Sequence, residues 1–341
     1  MTNTTARTDG ETLLPASRPG SGGARPAQAS WRAWCADRVD LISVGALLLV
    51  LLLAYGAYNP TLWTASSVTI LSAQFLPLML AAAAQTVVML TGGIDLSVGP
   101  RISLAMVVFA VLAQRGVLLA LVAALMLAAA VGALNGALIS LAGLPPIIVT
   151  LAASFLWSGA ALVVLSQPGG SVPRGLVRAY NRGWYGVALP ATVVAIVLLV
   201  WLAVRRSRFG LSLYAVGGNS HGAYANGLPV RAIRIGAYAA GGVFAGLAGV
   251  GLAVQTGSGD PTLGDPYTLN SIAAAVLGGI SFFGGVGRMA GAVMGALAIG
   301  VLSNLLLFVG VNPFYQLVLQ GVVLIVAIAA RTVLTRGRNL S

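Results

Sequence analysis

The chain has 341 residues, 58% of them hydrophobic and only 8% charged, and a formal net charge of +12. This composition excludes a soluble globular domain and predicts an all-α, polytopic membrane protein, since one span takes about 20 apolar residues. The single cysteine and single histidine exclude an intrachain disulfide and a multi-histidine metal site, and the complete lack of lysine excludes a Walker A ATP site.

The N-terminal segment, residues 1–38, is rich in Thr, Ser, Gly, Pro and Arg. We predict that it is a disordered cytoplasmic tail, because it lacks the apolar content needed to form a core. Residues 39–331 are predicted to form one transmembrane domain, and residues 332–341 a second cytoplasmic tail. Ten spans are predicted within the domain: Leu41–Tyr58, Ser67–Leu90, Ile102–Ala113, Val117–Leu141, Ile147–Ser166, Gly186–Val204, Ile233–Gln255, Leu269–Ile280, Met289–Val309 and Phe314–Ala330.

The distribution of arginines between the loops predicts the orientation of these spans. With the N-terminus inside, 15 arginines, among them Arg101, lie on the side of the termini, and 4 lie on the other side. Basic residues collect in cytoplasmic loops, so both termini are predicted to be cytoplasmic. The positive charge is therefore explained by topology, and we expect no nucleic-acid partner.

A glycine-rich stretch, residues 91–99, interrupts the apolar sequence and carries Asp95. A carboxylate at the centre of a bilayer costs about 2.5–3.5 kcal/mol on insertion scales, and a broken helix is tolerated there only inside protein or beside water. One interpretation is that Gly92, Gly93, Asp95 and Ser97 line or gate a route through the membrane. The other is that Asp95 caps the next helix by accepting from the amides near Ser97. The two interpretations are compatible.

A faint repeat relates the two halves of the chain. Leu134-Asn135 is followed by Pro145-Pro146, and Ser303-Asn304 is followed by Pro313-Phe314. Five predicted spans separate the two copies, so the second would be inverted, which is a common transporter plan. Within it, Asn135 and Asn304 are candidates for the translocation path, because neutral amides can hydrogen-bond hydroxyl groups. The alternative is that they only join helices, at about 0.6 kcal/mol per contact.

The longest predicted cytoplasmic loop, residues 205–234, contains a second candidate site. Asn219 or Ser220 could cap a short helix that ends at Gly227. A short helix flanked by arginines suits docking onto a soluble partner, and the alternative is a basic loop that only fixes orientation. The candidate docking residues are Gly217, Gly218, Asn219, Ser220, His221, Ala223 and Gly227.

Charged residues also mark the predicted outer side. Asp260 and Asp265, with Arg174 and Arg178, are candidates for contact with an external delivery protein, since rim charges of this kind steer encounter. The alternative is that they are solvated and have no partner. No enzyme constellation is visible, because the lone His221 lies in the cytoplasmic loop and Asp95 has no second carboxylate beside it. We therefore expect no catalytic residue and no cofactor on this chain.

Four motifs, in order along the chain, resemble those of ribose-type sugar ABC transporter permeases. They are Gly92-Gly93-Ile94-Asp95-Leu96-Ser97-Val98-Gly99, Val216-Gly217-Gly218-Asn219 followed by Gly227, residues 273–287 and residues 301–314. The resemblance covers nearly all of the chain beyond its N-terminal tail.

The resemblance implies a bacterial inner-membrane permease with two inverted five-helix halves, similar to the bundle of vitamin B12 importers. Two copies would form the pathway, with ATPase subunits that bind ATP and magnesium below and a periplasmic sugar-binding protein above. The 205–234 loop would hold the coupling helix that contacts the ATPase. The implied function is import of a monosaccharide, such as ribose, xylose or galactose, or of a related polyol. The alternatives are a branched-chain amino acid ABC permease and an ion-coupled secondary carrier that uses Asp95.

Overall fold

A computed structural model describes residues 30–183 and 188–312 and the single positions 315, 318, 321, 322 and 325; for residues 30–40 only the backbone is described. The chain divides into two compact units, Met1–Arg38 and Val39–Ser341, the second of which contains the helical bundle. The helices are α1 (Ser30–Tyr58), α2 (Ala65–Met89), α3 (Val98–Leu112), α4 (Val117–Leu141), α5 (Pro146–Val164), α6 (Arg174–Arg182), α7 (Leu189–Arg206), α8 (Arg208–Gly218), α9 (Ser220–Ala225), α10 (Val230–Thr256), α11 (Tyr267–Leu277) and α12 (Met289–Phe308), with a 3₁₀ turn at Pro60–Trp63.

Seven of the described helices are long and apolar enough to cross a membrane, which confirms a polytopic all-helical protein. They are α1 from Leu41 onward, α2, α4, α5, α7, α10 and α12, and each matches a predicted span to within a few residues. Two further predicted spans correspond to α3 and α11, which have only 15 and 11 residues. The tenth, Phe314–Ala330, lies outside the described residues except at isolated positions, so the count of ten remains a prediction.

The centre of the bundle is formed by α2 and α10, which are the most buried of the seven long helices. Helix α10 packs against α2, α3 and α4, while α12 packs against α2 and α11. The outer helices α1, α4, α5 and α7 expose most of their apolar side chains. In a protein of this class, that surface is matched to lipid or to another membrane subunit.

Small residues allow the central helices to approach closely. A β-carbon added to Gly242 on α10 would lie 2.1 Å from the carbonyl oxygen of Ala128 on α4. One added to Gly249 would lie 2.3 Å from the carbonyl oxygen of Ile102 on α3. Such backbone contacts are how helices associate where lipid removes the hydrophobic driving force between them. The glycine-rich sequence of α10 therefore determines its central position.

Replacing Gly242 with valine is expected to separate α10 from α4 and to cost on the order of 1–3 kcal/mol or more, the usual cost of overpacking. Thermal unfolding in detergent should then show a clearly lower Tm and a smaller monodisperse fraction. The matched control is Gly159→Val on α5, where an added β-carbon has no neighbour within 4 Å. A Gly242→Val protein with the wild-type Tm would contradict the packing argument.

The two ends of the bundle differ in charge. At one end lie Arg205 and Arg206 of α7, Arg208 of α8 and Arg231 and Arg234 of α10, here called the arginine-rich face. Helix α6 lies beside the other end of α10, because Asn181 donates from its amide nitrogen to the carbonyl oxygen of Gln255 at 3.1 Å. The 27 residues of α10 cover about 40 Å, so these two faces lie on opposite sides of a membrane-sized bundle.

Non-helical segments precede both short helices. Residues 90–97 lead into α3 after α2 ends at the arginine-rich face, and residues 257–266 lead into α11 after α10 ends at the opposite face. The beginnings of α3 and α11 meet inside the bundle, where the Gly99 N–H donates to Thr268 Oγ1 at 3.0 Å. The Gly264 N–H likewise donates to Ser103 Oγ at 2.9 Å.

Helices α2 and α11 end in the same way. Gly92 adopts φ +78° and Gly279 φ +96°, a conformation that glycine reaches without steric cost. In each case the next residue donates back to a carbonyl five positions earlier, from Gly93 to Val88 and from Ile280 to Ala275. The two ends thus share a backbone geometry, but the left-handed residue is the first glycine of Gly92-Gly93-Ile94 and the second of Gly278-Gly279-Ile280, so the likeness of the two triplets does not come from this geometry.

Candidate functional site

The site is a fully buried ion pair at the break between α2 and α3. Asp95 and Arg101 both have no exposed side-chain surface, and Arg101 Nη2 contacts Asp95 Oδ2. The Asp95 carboxylate also accepts from the Ser97 N–H at 2.9 Å and from Ser97 Oγ at 2.6 Å. The break therefore places one acidic and one basic group together inside the protein, where each compensates the other.

The hydrogen bonds of Asp95 match the capping interpretation at one position. Its carboxylate accepts from the amide of Ser97, but Ser97 is itself the N-cap of α3 and no side chain caps that helix, so the bond closes a turn just before the helix starts. The backbone of Asp95 is also satisfied. In the amide orientation that satisfies both groups, Gln85 of α2 donates to the Asp95 carbonyl and accepts from the Asp95 N–H, each at 3.2 Å.

Arg101 corrects the prediction from the sequence. From the sequence, it is placed among the cytoplasmic loop arginines. The structure instead begins α3 at Val98 and buries Arg101 one turn inside it. The physical reason is that residues 90–97 turn back into the bundle before α3 starts, so the N-terminal turn of α3 lies within protein. The sequence does contain a signal for this pair, because Asp95 lies shortly before the start of α3 and Arg101 shortly after it.

Further helices contribute polar groups to this cluster. Asn135 of α4 donates from Nδ2 to Ser97 Oγ at 2.9 Å, and Thr150 Oγ1 of α5 donates to the Ile94 carbonyl at 3.3 Å. The hydroxyl of Tyr238 on α10 lies against Gly93, 2.6 Å from where a β-carbon would stand. Within this cluster three buried side-chain atoms have no hydrogen-bond partner: Arg101 Nη1, Asn135 Oδ1 and Tyr238 Oη. The cluster thus joins α2, α3, α4, α5 and α10 and keeps unused hydrogen-bonding capacity.

The predicted path residues do not all come together. Four of them share the buried cluster: Gly93, Asp95, Ser97 and Asn135. Gly92 instead contacts the loop between α11 and α12 at Gly284. Asn304 of α12 forms a paired amide contact with Gln74 of α2, with both nitrogen–oxygen distances 3.0 Å. That contact lies in the N-terminal half of α2, so Asn304 is separated from the Asp95 cluster near the other end of the helix.

A cavity of about 360 Å³ reaches Gly93 and Tyr238 from outside the cluster. It is lined by Thr91, Gly92 and Gly93, by residues 143–146 between α4 and α5, and by Ile139, Ser140, Arg234 and Tyr238. Because Arg234 belongs to the arginine-rich face, the cavity joins that face to the edge of the buried cluster.

The predicted docking helix is present as α9. The Asn219 side chain accepts from the Gly222 N–H at 2.8 Å and so caps the helix, and Gly227, at φ +80°, ends it. Ser220 and His221 line a cavity of about 550 Å³ together with Tyr224 and the start of α10. Ala223 is 7% exposed and anchors the helix, while Tyr224 is 75% exposed. Helix α9 therefore stands on the arginine-rich face with one side open.

Four glycines bring together the end of α8, the break before α3 and the loop before α12. They are Gly92, Gly217, Gly284 and Gly285, and we call them the glycine junction; α9 follows directly after α8. The Gly285 N–H donates to the Leu90 carbonyl at 3.0 Å. A β-carbon on Gly217 would lie 1.9 Å from the same carbonyl oxygen, and one on Gly284 would lie 2.7 Å from the Gly92 nitrogen. Gly218, in contrast, has open space where a β-carbon would stand. Three chain segments therefore touch through backbone atoms alone.

Tyr214 of α8 adds a side-chain bond to this region. Its hydroxyl donates to the Gly287 carbonyl at 3.0 Å, and the Arg205 guanidinium lies 5.9 Å from its ring centre. Burial raises the pKa of Tyr214 above its ordinary value, although Arg205 and Arg288 act in the opposite direction. The phenol therefore remains a hydrogen-bond donor at neutral pH.

The opposite face carries the residues predicted to meet an external protein. Arg174 and Arg178, with Arg182, line a cavity of about 460 Å³ beside Gly257, so α6 does gather them. Asp260 Oδ1 accepts from the Thr262 N–H at 2.8 Å and from Leu263 at 3.2 Å, which ties it to its own loop. Burial, and then the charge of Asp260, raises the pKa of Asp265. Helix α6 itself was not predicted, because its apolar face is short.

Comparison with known proteins places the chain among transport permeases. A family model described as "Branched-chain amino acid transport system / permease component" matches residues 67–328. The chain is similar to the ribose import permease protein of Escherichia coli (strain K12), with 34% identity over 307 residues that cover 87% of this chain and 94% of the relative. No solved structure shows a significant match.

Other curated relatives have similar coverage. The ribose import permease protein of Bacillus subtilis (strain 168) is 36% identical over 82% of this chain and 89% of its own length. The D-allose transport system permease protein of Escherichia coli (strain K12) is 34% identical over 83% and 89%. An autoinducer 2 import system permease protein of Salmonella paratyphi A is 30% identical over 86% and 91%.

Proposed function

Because this chain belongs to the family of ABC importer permease components, we propose that it is the membrane subunit of an ATP-driven importer of a monosaccharide or related polyol. Its relatives carry the names of ribose, D-allose and autoinducer 2 import permeases. They are transport components and not enzymes, and the motifs that led to the resemblance fall within the matched region, residues 67–328.

The observation that carries the proposal is the geometry of α9. It is a short helix, capped by Asn219, that stands open on the arginine-rich face and is fixed at its base by buried Ala223. We assign this face to the cytoplasm and α9 to the coupling contact with the ATPase. The ATP and magnesium are bound by that partner, in agreement with the lack of lysine in this chain.

The glycine junction gives the coupling helix a route to the interior. Movement of α8 and α9 acts on the backbone at Gly217, which contacts the Leu90 carbonyl and the 284–285 turn. The Leu90 carbonyl ends α2 and leads directly into the break that contains Asp95. ATP-driven closure of the partner is thereby converted into a shift of α2, α3 and α12, which changes access to the path.

The substrate class follows from the charge inside the bundle. Among the described residues, Asp95 and Arg101 are the charged side chains that are fully buried, and they compensate each other. An ionic substrate would meet no free countercharge there, whereas a hydroxylated neutral one is served by amides and hydroxyls. Gly92, Gly93, Ser97 and Asn135 remain the proposed gate residues, and Asn304 a proposed path residue at the other end of the bundle.

Two inverted halves are also part of the proposal. Helices α2 and α10 are each followed by a non-helical segment and a short helix, and the two breaks begin at opposite faces. The beginnings of α3 and α11 meet through the bond from Gly99 to Thr268. This arrangement supports an inverted plan like that of vitamin B12 importers. The exposed apolar surface of the outer helices is available to a second copy of the permease as well as to lipid.

The opposite face is assigned to the periplasmic binding protein. Arg174 and Arg178 line an open cavity there together with Gly257, the first residue of the 257–266 segment that carries Asp260 and Asp265. We propose that these charges steer the binding protein onto the permease, since rim charges mainly affect the rate of encounter.

The two alternatives are less well supported. A branched-chain amino acid permease agrees with the description of the family model, but the relatives named above carry the names of ribose, D-allose and autoinducer 2 and not of an amino acid. A secondary carrier would need a carboxylate that gains and loses an ion, and Asp95 is instead fixed by Arg101 and Ser97.

Reconstitution in liposomes tests the proposed function. The permease alone is expected to accumulate nothing against a gradient, because it has no energy source of its own. Together with its cognate ATPase and binding protein, it should take up labelled ribose or D-allose only when ATP is present. Leucine is the control substrate for the amino acid alternative. Uptake driven by a proton or sodium gradient without an ATPase would overturn the proposal.

A further inference from the structure

An exposed aromatic loop lies between α11 and α12. Residues 281–288, here called the diphenylalanine loop, carry Phe282, Phe283 and Val286. Phe283 is 92% exposed, Val286 58% and Phe282 46%. An apolar patch of this kind on an otherwise charged face marks an interaction site, because large exposed apolar surface is unfavourable in water.

The loop has a fixed conformation. The Ser281 N–H donates to the Val286 carbonyl at 3.1 Å, and the Gly284 N–H donates to the Ser281 carbonyl at 3.3 Å. The Phe283 N–H donates to Ser281 Oγ at 3.1 Å, and Tyr214 holds the carbonyl of Gly287. A phenylalanine presented by a pre-ordered turn loses little conformational entropy when it is bound.

The loop is continuous with the coupling helix. A β-carbon on Gly285 would lie 2.7 Å from the Cα of Gly218, the residue that ends α8 just before the Asn219 cap. The exposed Tyr224 of α9 and the exposed Phe283 therefore project from two segments that share one backbone contact. Whatever covers α9 lies directly beside the diphenylalanine loop.

We infer that the diphenylalanine loop is a second docking element for the same ATPase, and that Phe283 inserts into an apolar pocket on it. The inference rests on the proposed function, which assigns α9 to the coupling contact. Among the residues whose side chains the structure describes, no carboxylate lies on the arginine-rich face. The ATPase surface that fits is thus an apolar pocket with an acidic rim. Helices α8 and α9 lie between the ends of spans α7 and α10, and the diphenylalanine loop contacts the end of α8 at Gly218. A soluble protein that docks on α9 therefore covers the loop more readily than lipid does.

Cysteine accessibility tests this inference. In a Cys35→Ser background, which removes the single native cysteine, Phe283→Cys and Tyr224→Cys are made as separate variants. Each is labelled with a membrane-impermeant maleimide in inside-out liposomes, with the permease alone and then with the ATPase that supports uptake in the reconstitution above. Phe155→Cys on α5, where the side chain is 74% exposed, is the control for burial in lipid.

We expect Phe283→Cys to react rapidly in the permease alone and to become protected, together with Tyr224→Cys, when the ATPase binds. Protection of Phe283→Cys without the ATPase, as for Phe155→Cys, would show that lipid or a second copy of the permease covers the loop and would overturn the inference. Protection of Tyr224→Cys alone would overturn the inference and leave the proposed function intact. If neither is protected, the coupling assignment itself is wrong.

A binding measurement gives the size of the effect. Truncating a buried aromatic anchor at an interface is expected to weaken binding of the ATPase by about 30-fold. We expect this for Phe283→Ala, in a protein whose Tm is unchanged because the side chain is exposed. Wild-type affinity in a folded Phe283→Ala permease would overturn the inference.

Discussion

Asp95→Asn is expected to destabilise the permease by about 3–5 kcal/mol, the usual cost of removing one partner from a buried ion pair. The variant leaves the Arg101 guanidinium charged and buried with nothing to neutralise it, and it also weakens the bonds to Ser97. We expect a much lower Tm in detergent and a large loss of ATP-driven uptake, measured in the same preparation.

The partner substitution completes a double-mutant cycle. Arg101→Met alone should be destabilising for the same reason, because it leaves the Asp95 carboxylate unpaired. The double variant Asp95→Asn/Arg101→Met should recover much of the lost stability, since neither charge remains. If the two single changes are merely additive, the ion pair is not the interaction that matters.

The same cycle distinguishes a structural role of the ion pair from a role in transport. A double variant with restored Tm but no uptake would assign the pair to the gate. A double variant with both restored would leave Asp95 with only a structural role before α3. Both results are informative because Tm and transport are measured independently.

Gly218→Trp is expected to abolish ATP-driven uptake without harming the fold. There is open space at this glycine, so the indole is accommodated in the free permease but stands where the ATPase is proposed to bind. The expected result is a wild-type Tm, normal membrane insertion and loss of ATPase-coupled uptake. Gly218→Ala is the matched control and should retain most of the activity.

The neighbouring residue gives the opposite pattern. Gly217→Val would place a β-carbon 1.9 Å from the Leu90 carbonyl oxygen, so it should disrupt the glycine junction and lower the Tm. Full coupling and normal co-purification of the ATPase with Gly218→Trp would contradict the docking role of this segment. A stable Gly217→Val protein would contradict the proposed route from α9 to the break.

The sequence was informative wherever composition and local rules dominate. Long apolar runs predicted the seven long spans, because a strongly apolar stretch of 18–27 residues with few charges has few alternatives to a membrane helix. The Asn219 cap and the Gly227 end of α9 were also predicted correctly, since both depend on backbone geometry within a few residues. Four short motifs were sufficient to identify the permease resemblance that the comparisons confirm.

Contacts between distant segments could not be predicted from the chain alone. No local pattern reveals that residues 90–97 re-enter the bundle, so from the sequence Arg101 is assigned to a loop and not to Asp95. Nor did it distinguish Gly217, which touches Leu90, from its exposed neighbour Gly218. Asn304 was grouped with Asn135 by a repeat, whereas the fold pairs it with Gln74.

The amino-acid sequence by itself determined the membrane class, most of the spans, the short capped helix α9 and the lack of the lysine that a Walker A site needs. Only the tertiary structure decided which charges meet, which glycines are tightly packed and which aromatic residues remain exposed. The physical reason is that helix formation and capping depend on neighbours within a turn or two. The ion pair, the glycine junction and the diphenylalanine loop depend on segments that are far apart in sequence and brought together by packing.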